Sequence, residues 1–212
     1  MDLSHLRGKY TTKGLDIKDL NANTVIQFET WFNDALDEKL TEPNAFCLAT
    51  VGVDMMPSVR TVLLKTFNET GFVFFTNYKS KKAKQIEENP KAAALFTWLE
   101  LERQIKVEGE IEKISTSDSL KYFLSRPKGS QIGAWVSHQS EVISSRSLLE
   151  QKFDEIKRKF LKGEVPFPSF WGGYTIKPIR IEFWQGGQDR LHDRFLYERQ
   201  DDNTWTISRL AP

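Results

Sequence analysis

Residues 103–114 read RQIKVEGEIEKI. Ile105, Val107 and Ile111 alternate with Lys106, Glu108 and Glu112, the period of a strand with one face buried and the other in water. A surface helix would instead return its apolar residues every three or four positions. Ala92 to Trp98, just upstream, supplies the other half of a hairpin. Further toward the N-terminus, Phe46 to Val51, Pro57 to Phe67 and Phe72 to Thr76 are also strand-like, with turns at Gly52-Val53-Asp54 and Asn68-Glu69-Thr70-Gly71 between them. Toward the C-terminus the pattern returns in Tyr174 to Trp184, Leu191 to Tyr197 and Thr204 to Leu210, with a turn at Gly186-Gly187.

Helices punctuate these strands. From Asn23, the apolar positions Val25, Phe28, Trp31, Phe32, Ala35 and Leu36 follow helical spacing, and the helix ends before Pro43. Shorter helices are predicted from Ser80 to Glu88, ended by Asn89-Pro90, and from Ser117 to Leu124, closed by Ser125-Arg126-Pro127. A longer one has Ser147 and Glu150 spaced as a capping box, an apolar face of Leu149, Phe153, Ile156 and Phe160, and Gly163 at its end. About seven strands joined mostly by short turns predict a mainly β protein with peripheral α-helices (α+β), its sheet a closed or nearly closed antiparallel barrel. Residues 1–20 are polar and read as a mobile arm; residues 21–212 read as one domain.

Composition narrows the function classes. Thirty basic residues against twenty-nine acidic ones leave a net charge of +1, too balanced for a protein that coats nucleic acid or anionic membrane. The single cysteine, Cys47, lies between Phe46 and Leu48 and is expected to be a small buried hydrophobe. With no disulfide framework, no signal-like N-terminus and no apolar run approaching a membrane span, the expected home is the cytoplasm. Neither a Rossmann nor a P-loop fingerprint occurs, nor a G-x-S-x-G elbow. His5, His138 and His192 are too scattered to suggest a metal site.

Four clusters carry chemistry. Arg60-Thr61-Val62-Leu63-Leu64-Lys65 would, on a regular strand, put Arg60 and Lys65 on opposite faces; two charges flanking a buried run is the plain alternative. Lys79-Ser80-Lys81-Lys82-Ala83-Lys84 opens a helix, where cations oppose the macrodipole. A bound anion would remove that conflict, although a solvated basic face also accounts for the run. Tyr122, Arg126 and Ser130 stand four apart and suit a phosphate, though a capping arginine would share the spacing. Lastly, Trp184 precedes Arg190-Leu191-His192-Asp193-Arg194. Positions 190, 192 and 194 would crowd one strand face with cations unless Asp189, Asp193 or an anionic ligand offsets them. Together the clusters suggest a site for two anionic ligands, of which one could be a cofactor and the other a substrate; spacing alone goes no further.

Taken in order, these segments resemble the pyridoxamine-phosphate oxidase family. The matching stretches are R-T-V-L-L-K (60–65), Y-K-S-K-K-A (78–83), E-R-Q-I-K-V-E-G (102–109), Y-F-L-S-R-P (122–127), W-V-S-H-Q-S (135–140) and F-W-Q-G with R-L-H-D-R (183–194), and the chain ends in R-L-A-P. The resemblance implies a homodimer of FMN-binding split β-barrels with the flavin at the subunit interface. It implies that Arg60, Lys81 and Lys82 hold the FMN phosphate. Thr61, Val62, Leu63, Leu64 and Lys65, with Phe75 and Thr76, would run along the flavin. Gln104, Gln139, Ser140, Trp184 and Arg194 would complete the cofactor site. Lys65, Tyr122, Arg126 and Ser130 would grip a substrate phosphate, Arg190 and His192 would be catalytic over the pyridine ring, and Arg7 and Tyr10 would close over it. Where the family often has Arg-Lys after the serine, this chain has Lys81-Lys82, which keeps charge but loses a two-pronged donor.

The implied reaction is oxidation of pyridoxine or pyridoxamine 5′-phosphate by FMN and O2, with His192 the easier proton acceptor because arginine does not deprotonate. A split-barrel flavin reductase or carrier would keep the flavin set without needing Tyr122, Arg126, Ser130, Arg190 and His192 together. A basic nucleic-acid barrel would need aromatics interleaved among residues 79–84, where only Tyr78 is near.

Overall fold

The alternation in residues 103–114 becomes a long central strand, β6 (Arg103–Lys113), paired antiparallel with β5 (Lys91–Trp98) on one side and β7 (Trp171–Gln185) on the other. Ile105, Val107 and Ile111 are buried, while Lys106 faces outward to Glu108 and Glu182. The register slips at Glu108/Gly109, and there only glycine fits: a Cβ on Gly109 would lie 2.0 Å from the Lys177 carbonyl oxygen. The computed structural model describes the whole chain except Ser4, Leu6–Lys9, Thr12, Ser137, His138 and Lys162. Arg7, expected over the substrate, therefore lies outside the described residues.

Further strands extend the sheet on both sides. β1 (Ala45–Val51) joins β5 to β2 (Pro57–Leu63), and β4 (Gly71–Asn77) pairs with the first half of β7 and with β3 (Thr66–Asn68). The second half of β7 takes β8 (Asp193–Arg199), which pairs with β9 (Trp205–Leu210). The described residues thus form nine strands, more than the seven expected. One reason is that Pro57–Phe67 is not continuous. The Leu64 N–H donates to the Asn44 carbonyl and the Lys65 N–H to that of Val73, so the chain leaves β1 and joins β4 at this point. Face parity between Arg60 and Lys65 is lost with the break. Cys47 is a second correction: it is exposed, because β1 turns Phe46 and Leu48 inward and the residue between them out.

Five α-helices occur among the described residues. In α1 (Thr24–Asp37) the Asn23 side chain accepts from the Val25 and Ile26 N–H groups, and Phe28, Trp31 and Ala35 pack into the sheet's core. α2 (Lys81–Glu88) and α3 (Thr116–Ser125) begin on Ser80 and Ser115 caps. α4 (Lys128–Val136) was not expected. α5 (Arg146–Lys159) starts two residues before the anticipated capping box: Ser145 is the cap, accepting from the Leu148 N–H, and Glu150 pairs with Arg146 instead. α3, α4 and α5 enclose a second apolar cluster of Phe123, Ile132, Val136, Val165 and Trp171. Within residues 1–20, Leu15 reaches the main core and Ile17–Asp19 form a capped 3-10 turn.

Candidate active site

A cavity of about 660 Å³ opens where β2, β4 and the α3–α4 corner meet, a size that suits a small molecule. Thr61, Val62 and Leu63 line it from β2, and Phe75 and Thr76 from β4. Lys65, Lys82 and Gln139 reach it from the connections and α2, and Tyr122, Arg126 and Ser130 from α3 and α4. The expected substrate-phosphate set therefore converges in one place. Leu64 does not line it: its side chain is buried in the core and its N–H and carbonyl both bond to Asn44.

Arg126 shows what this cavity favours. Its guanidinium lies 4.6 Å from the Trp171 ring centre, and its Nη1 is buried without a hydrogen-bond partner. Burial draws its pKa down, opposed by the neighbouring Tyr122. A buried charged donor left unpaired is costly, and such groups in folded proteins call for a partner. Tyr122 stacks on Phe75 at 3.9 Å, and burial raises its phenol pKa against the pull of Arg126.

A second concentration of charge lies at the start of α2. The Lys82 Nζ donates to Thr76 Oγ1 (3.0 Å) and Gln139 Oε1 (2.9 Å) and lies 3.5 Å from Ser80 Oγ, all neutral oxygens. Arg60 turns back along β1 and donates to the Leu48 carbonyl, Thr50 Oγ1 and Ser58 Oγ, again without an acid. Burial first and the Arg60 charge second push the Lys82 pKa down to about 8; burial also lowers that of Arg60. Two mutually repelling cations, Lys82 buried and Arg60 half-buried, with no carboxylate on either among the described residues, suit an anion. Lys81 is exposed, and its N–H donates to Ser140 Oγ at 3.3 Å.

The remaining expected residues lie elsewhere on the chain. Gln104, Trp184 and Arg194 are cross-strand neighbours on β6, β7 and β8, and they line a separate cavity of about 330 Å³ with Lys106 and Glu182. The two cavities share no lining residue. Glu182 accepts from Arg194 at 2.7 Å and pairs with Lys106 at 3.1 Å; burial works to raise its pKa, but these two cations outweigh it and the net shift is downward.

The expected three-cation strand face does not form. β8 begins only at Asp193, and before it Asp189 and Arg190 take left-handed backbone angles (φ 53° and 64°), leaving Arg190 exposed. Arg194 is offset across the sheet by Glu182, while Asp193 accepts from the Leu15 N–H and pairs with Arg209. His192 sits 4.6 Å from Trp184 and 5.0 Å from Tyr10, ring centre to ring centre, and its Nδ1 accepts from the Gly187 N–H at 3.1 Å. Tyr10 is seated against Gly186, and the next residue's N–H is held by the Glu102 carboxylate.

Residues 32–160 match the family described as pyridoxamine 5′-phosphate oxidase. The chain belongs to that family. Residues 171–212 match the description pyridoxine 5′-phosphate oxidase C-terminal dimerisation region. Relatives named pyridoxine/pyridoxamine 5′-phosphate oxidase include those of Aliarcobacter butzleri, 79% identical, and Rippkaea orientalis, 61% identical; in each, 100% of both chains is covered. Among solved structures, PhzG of Burkholderia lata in complex with tetrahydrophenazine-1-carboxylic acid is 28% identical, with a TM-score of 0.89 over 97% of this chain and 100% of that one. A Nostoc punctiforme protein described as pyridoxamine 5′-phosphate oxidase-related and FMN binding shares the fold, with a TM-score of 0.71 at 17% identity over 87% of this chain and 97% of that one. The split-barrel fold is thus established. No helix among the described residues is long and apolar enough to cross a membrane.

Sequence reasoning missed Trp171, Lys106 and Glu182. Trp171 escaped because the strand was expected to start at Tyr174, three residues late. The Lys106–Glu182 pair needed the β6–β7 register, which no single segment reveals.

Proposed function

We propose that this protein oxidises pyridoxine 5′-phosphate and pyridoxamine 5′-phosphate to pyridoxal 5′-phosphate in vitamin B6 cofactor synthesis and salvage in the cytoplasm. FMN is the cofactor and O2 the electron acceptor; the alcohol gives H2O2, and the amine gives H2O2 and ammonia after water attacks its imine. The observation that carries this is the pair of unneutralised cation sites in and beside one cavity. Arg126, with its orphaned Nη1, suits the substrate phosphate with Lys65, Tyr122 and Ser130. Arg60 and Lys82, helped by Lys81 and Ser140, suit the FMN phosphate. Thr61–Leu63, Phe75, Thr76 and Gln139 would hold the FMN ring, and the bound cofactor would supply the two-electron oxidation chemistry that the side chains lack.

Gln104, Trp184 and Arg194 belong to the same site by way of a second copy of the chain. They lie in the separate cavity, and Glu182, Trp184, Arg194 and Pro212 of its lining fall inside the stretch that matches a dimerisation region. A homodimer that faces one copy's smaller cavity toward the other's larger one would complete two sites with FMN at the interface.

His192 takes a different part from the one expected of it. Its Nδ1 lone pair is engaged by the Gly187 N–H, so the neutral ring carries its hydrogen on Nε2 and offers a donor. Its role is to hold the substrate's oxygen or nitrogen in line, with Tyr10 packed at its edge. Arg190, exposed on its left-handed turn, supplies positive charge to the pyridine ring, and Tyr10 closes over the substrate.

The test is the visible spectrum of the FMN-loaded protein on anaerobic addition of pyridoxine 5′-phosphate. Loss of the flavin band and its return in air is the expected result. A bound flavin that substrate fails to bleach would sink the oxidase assignment.

A further inference from the structure

Arginines of this chain are commonly tied to acids. Arg103 lies over Trp31 but also pairs with Asp34; Arg209 lies over Phe195 but also pairs with Asp193; Arg180 and Arg194 pair with Glu198 and Glu182. Arg126 differs. It has an aromatic platform, Trp171 at 4.6 Å, and no carboxylate among the described residues pairs with it.

We propose that Trp171 is the positioning residue that arms Arg126 for an anion, and so sets the preference for a phosphorylated substrate over the same ring without its phosphate. This rests on the assignment of Arg126 to the substrate phosphate. An acid would hold the guanidinium by its N–H edge, use its donors and cancel its charge. An aromatic face holds a cation through the ring quadrupole and leaves the donor edge free. The orphaned Nη1 is what such an arrangement leaves behind.

Trp171 is itself locked in place. It stacks parallel to Phe75 (5.3 Å, 15°) and Tyr122 (6.2 Å, 9°), while Phe123 and Phe167 meet it edge-on. Its backbone is fixed as the first residue of β7, opposite Asn77 of β4. Buried and lining the same cavity, it ties the cofactor side (Phe75) to the phosphate side (Tyr122, Arg126). A platform on a sheet strand resists displacement better than one on a loop.

The experiment is a double-mutant cycle on the FMN-loaded protein using Trp171→Leu, Trp171→Phe and Arg126→Ala. Two quantities are read: KM and kcat for pyridoxine 5′-phosphate against unphosphorylated pyridoxine, and calorimetric affinity for inorganic phosphate. Trp171→Leu should raise KM for the phosphorylated substrate roughly 10- to 30-fold, the loss of a desolvated cation–π contact, with most of the effect in KM. Pyridoxine should be affected far less. In the Arg126→Ala background the same change should add almost nothing. Trp171→Phe, which keeps a ring, should cost only about 3-fold and serves if the leucine variant does not fold. Equal losses on both substrates, or additive effects with Arg126→Ala, would reduce Trp171 to a packing residue and overturn the proposal. If the protein fails to oxidise either compound, phosphate calorimetry still reads the Trp171–Arg126 coupling, so the two claims fail separately.

Discussion

Lys82 should take up a proton when the cofactor phosphate binds. Its pKa of about 8 in the ligand-free chain reflects burial and the Arg60 charge, and a dianionic phosphate beside both would restore the ordinary value near 10.5. The neutral fraction waiting to be protonated is about 0.1 at pH 7, about 0.5 at pH 8 and about 0.9 at pH 9. A phosphate monoester has its second pKa near 6, so above about pH 7.5 the ligand contributes little proton exchange of its own. Calorimetric titration of FMN into the apoprotein, in two buffers of different ionisation enthalpy, gives the uptake directly. It should climb across pH 7–9 in the wild type and vanish in Lys82→Gln. Flat uptake, or uptake unchanged in that variant, would refute placing the phosphate at this pair. Stability gives an independent check with a definite sign. Between pH 8 and 10.5 the unfolded chain holds more Lys82 protons than the folded one, so ligand-free stability rises with pH across that window. The penalty is full below about pH 8 and gone above about 10.5. Wild type should therefore gain on Lys82→Gln in melting temperature between pH 7.5 and 10.

Arg126→Ala should raise KM for pyridoxine 5′-phosphate roughly 10- to 150-fold, the worth of a charged hydrogen bond of about 1.5–3 kcal/mol, and steady-state kinetics showing an unchanged KM would remove it from the site. In Gly186→Ala the new Cβ would stand 2.3 Å from Tyr10 Cδ1, so the ring must leave its place beside Trp184 and His192. Proteolysis within residues 1–20 should quicken by up to about 10-fold, matching aromatic contacts worth about 0.5–1.5 kcal/mol; an unchanged cleavage rate would show that Tyr10 is not what seats the arm. Gly109→Ala puts a Cβ 2.0 Å from the Lys177 carbonyl, which is backbone and cannot step aside. Urea unfolding should show a midpoint lowered by about 1–3 kcal/mol of stability at unchanged slope, and an unmoved midpoint would mean that the bulge absorbs the methyl.

What was legible in the sequence follows from how far each signal reaches. Period-two alternation is local, so β6 was found almost to the residue, and α1 showed itself through its apolar stripe and its Asn23 cap. α4 was invisible because Lys128–Val136 carries Gly129 and Gly133 inside it and little amphipathic pattern; it is held by packing against α5 and by Ile132 and Val136 in the second cluster. The break at Leu64–Lys65 is decided by partners twenty residues back and eight ahead, Asn44 and Val73, which no local pattern reports. The clustering of Lys65, Tyr122, Arg126 and Ser130 came from family resemblance; spacing alone had left a capping arginine equally open. The same was true of Arg60 and Lys82, whose shared site depends on β1 turning Arg60 toward α2.

Charge compensation explains why the two cavities suit different duties. Among the described residues the larger is lined by Lys65, Lys82 and Arg126 with no carboxylate, and Arg60 stands beside it. In the smaller, Lys106 and Arg194 both close on Glu182, and the rest of the wall is Trp184, Gln104, Leu95 and Pro212. Cations already neutralised by a buried acid have little field left for a phosphate, so this surface suits a flat, weakly charged ring. The larger cavity keeps its positive charge uncancelled, and the ligand-free protein bears the cost in the depressed pKa values of Arg60, Lys82 and Arg126. A ligand that joins an aromatic ring to a phosphate needs both kinds of wall. In one chain these lie in separate cavities, and under the function proposed above a second copy would be part of the chemistry and not only of the assembly.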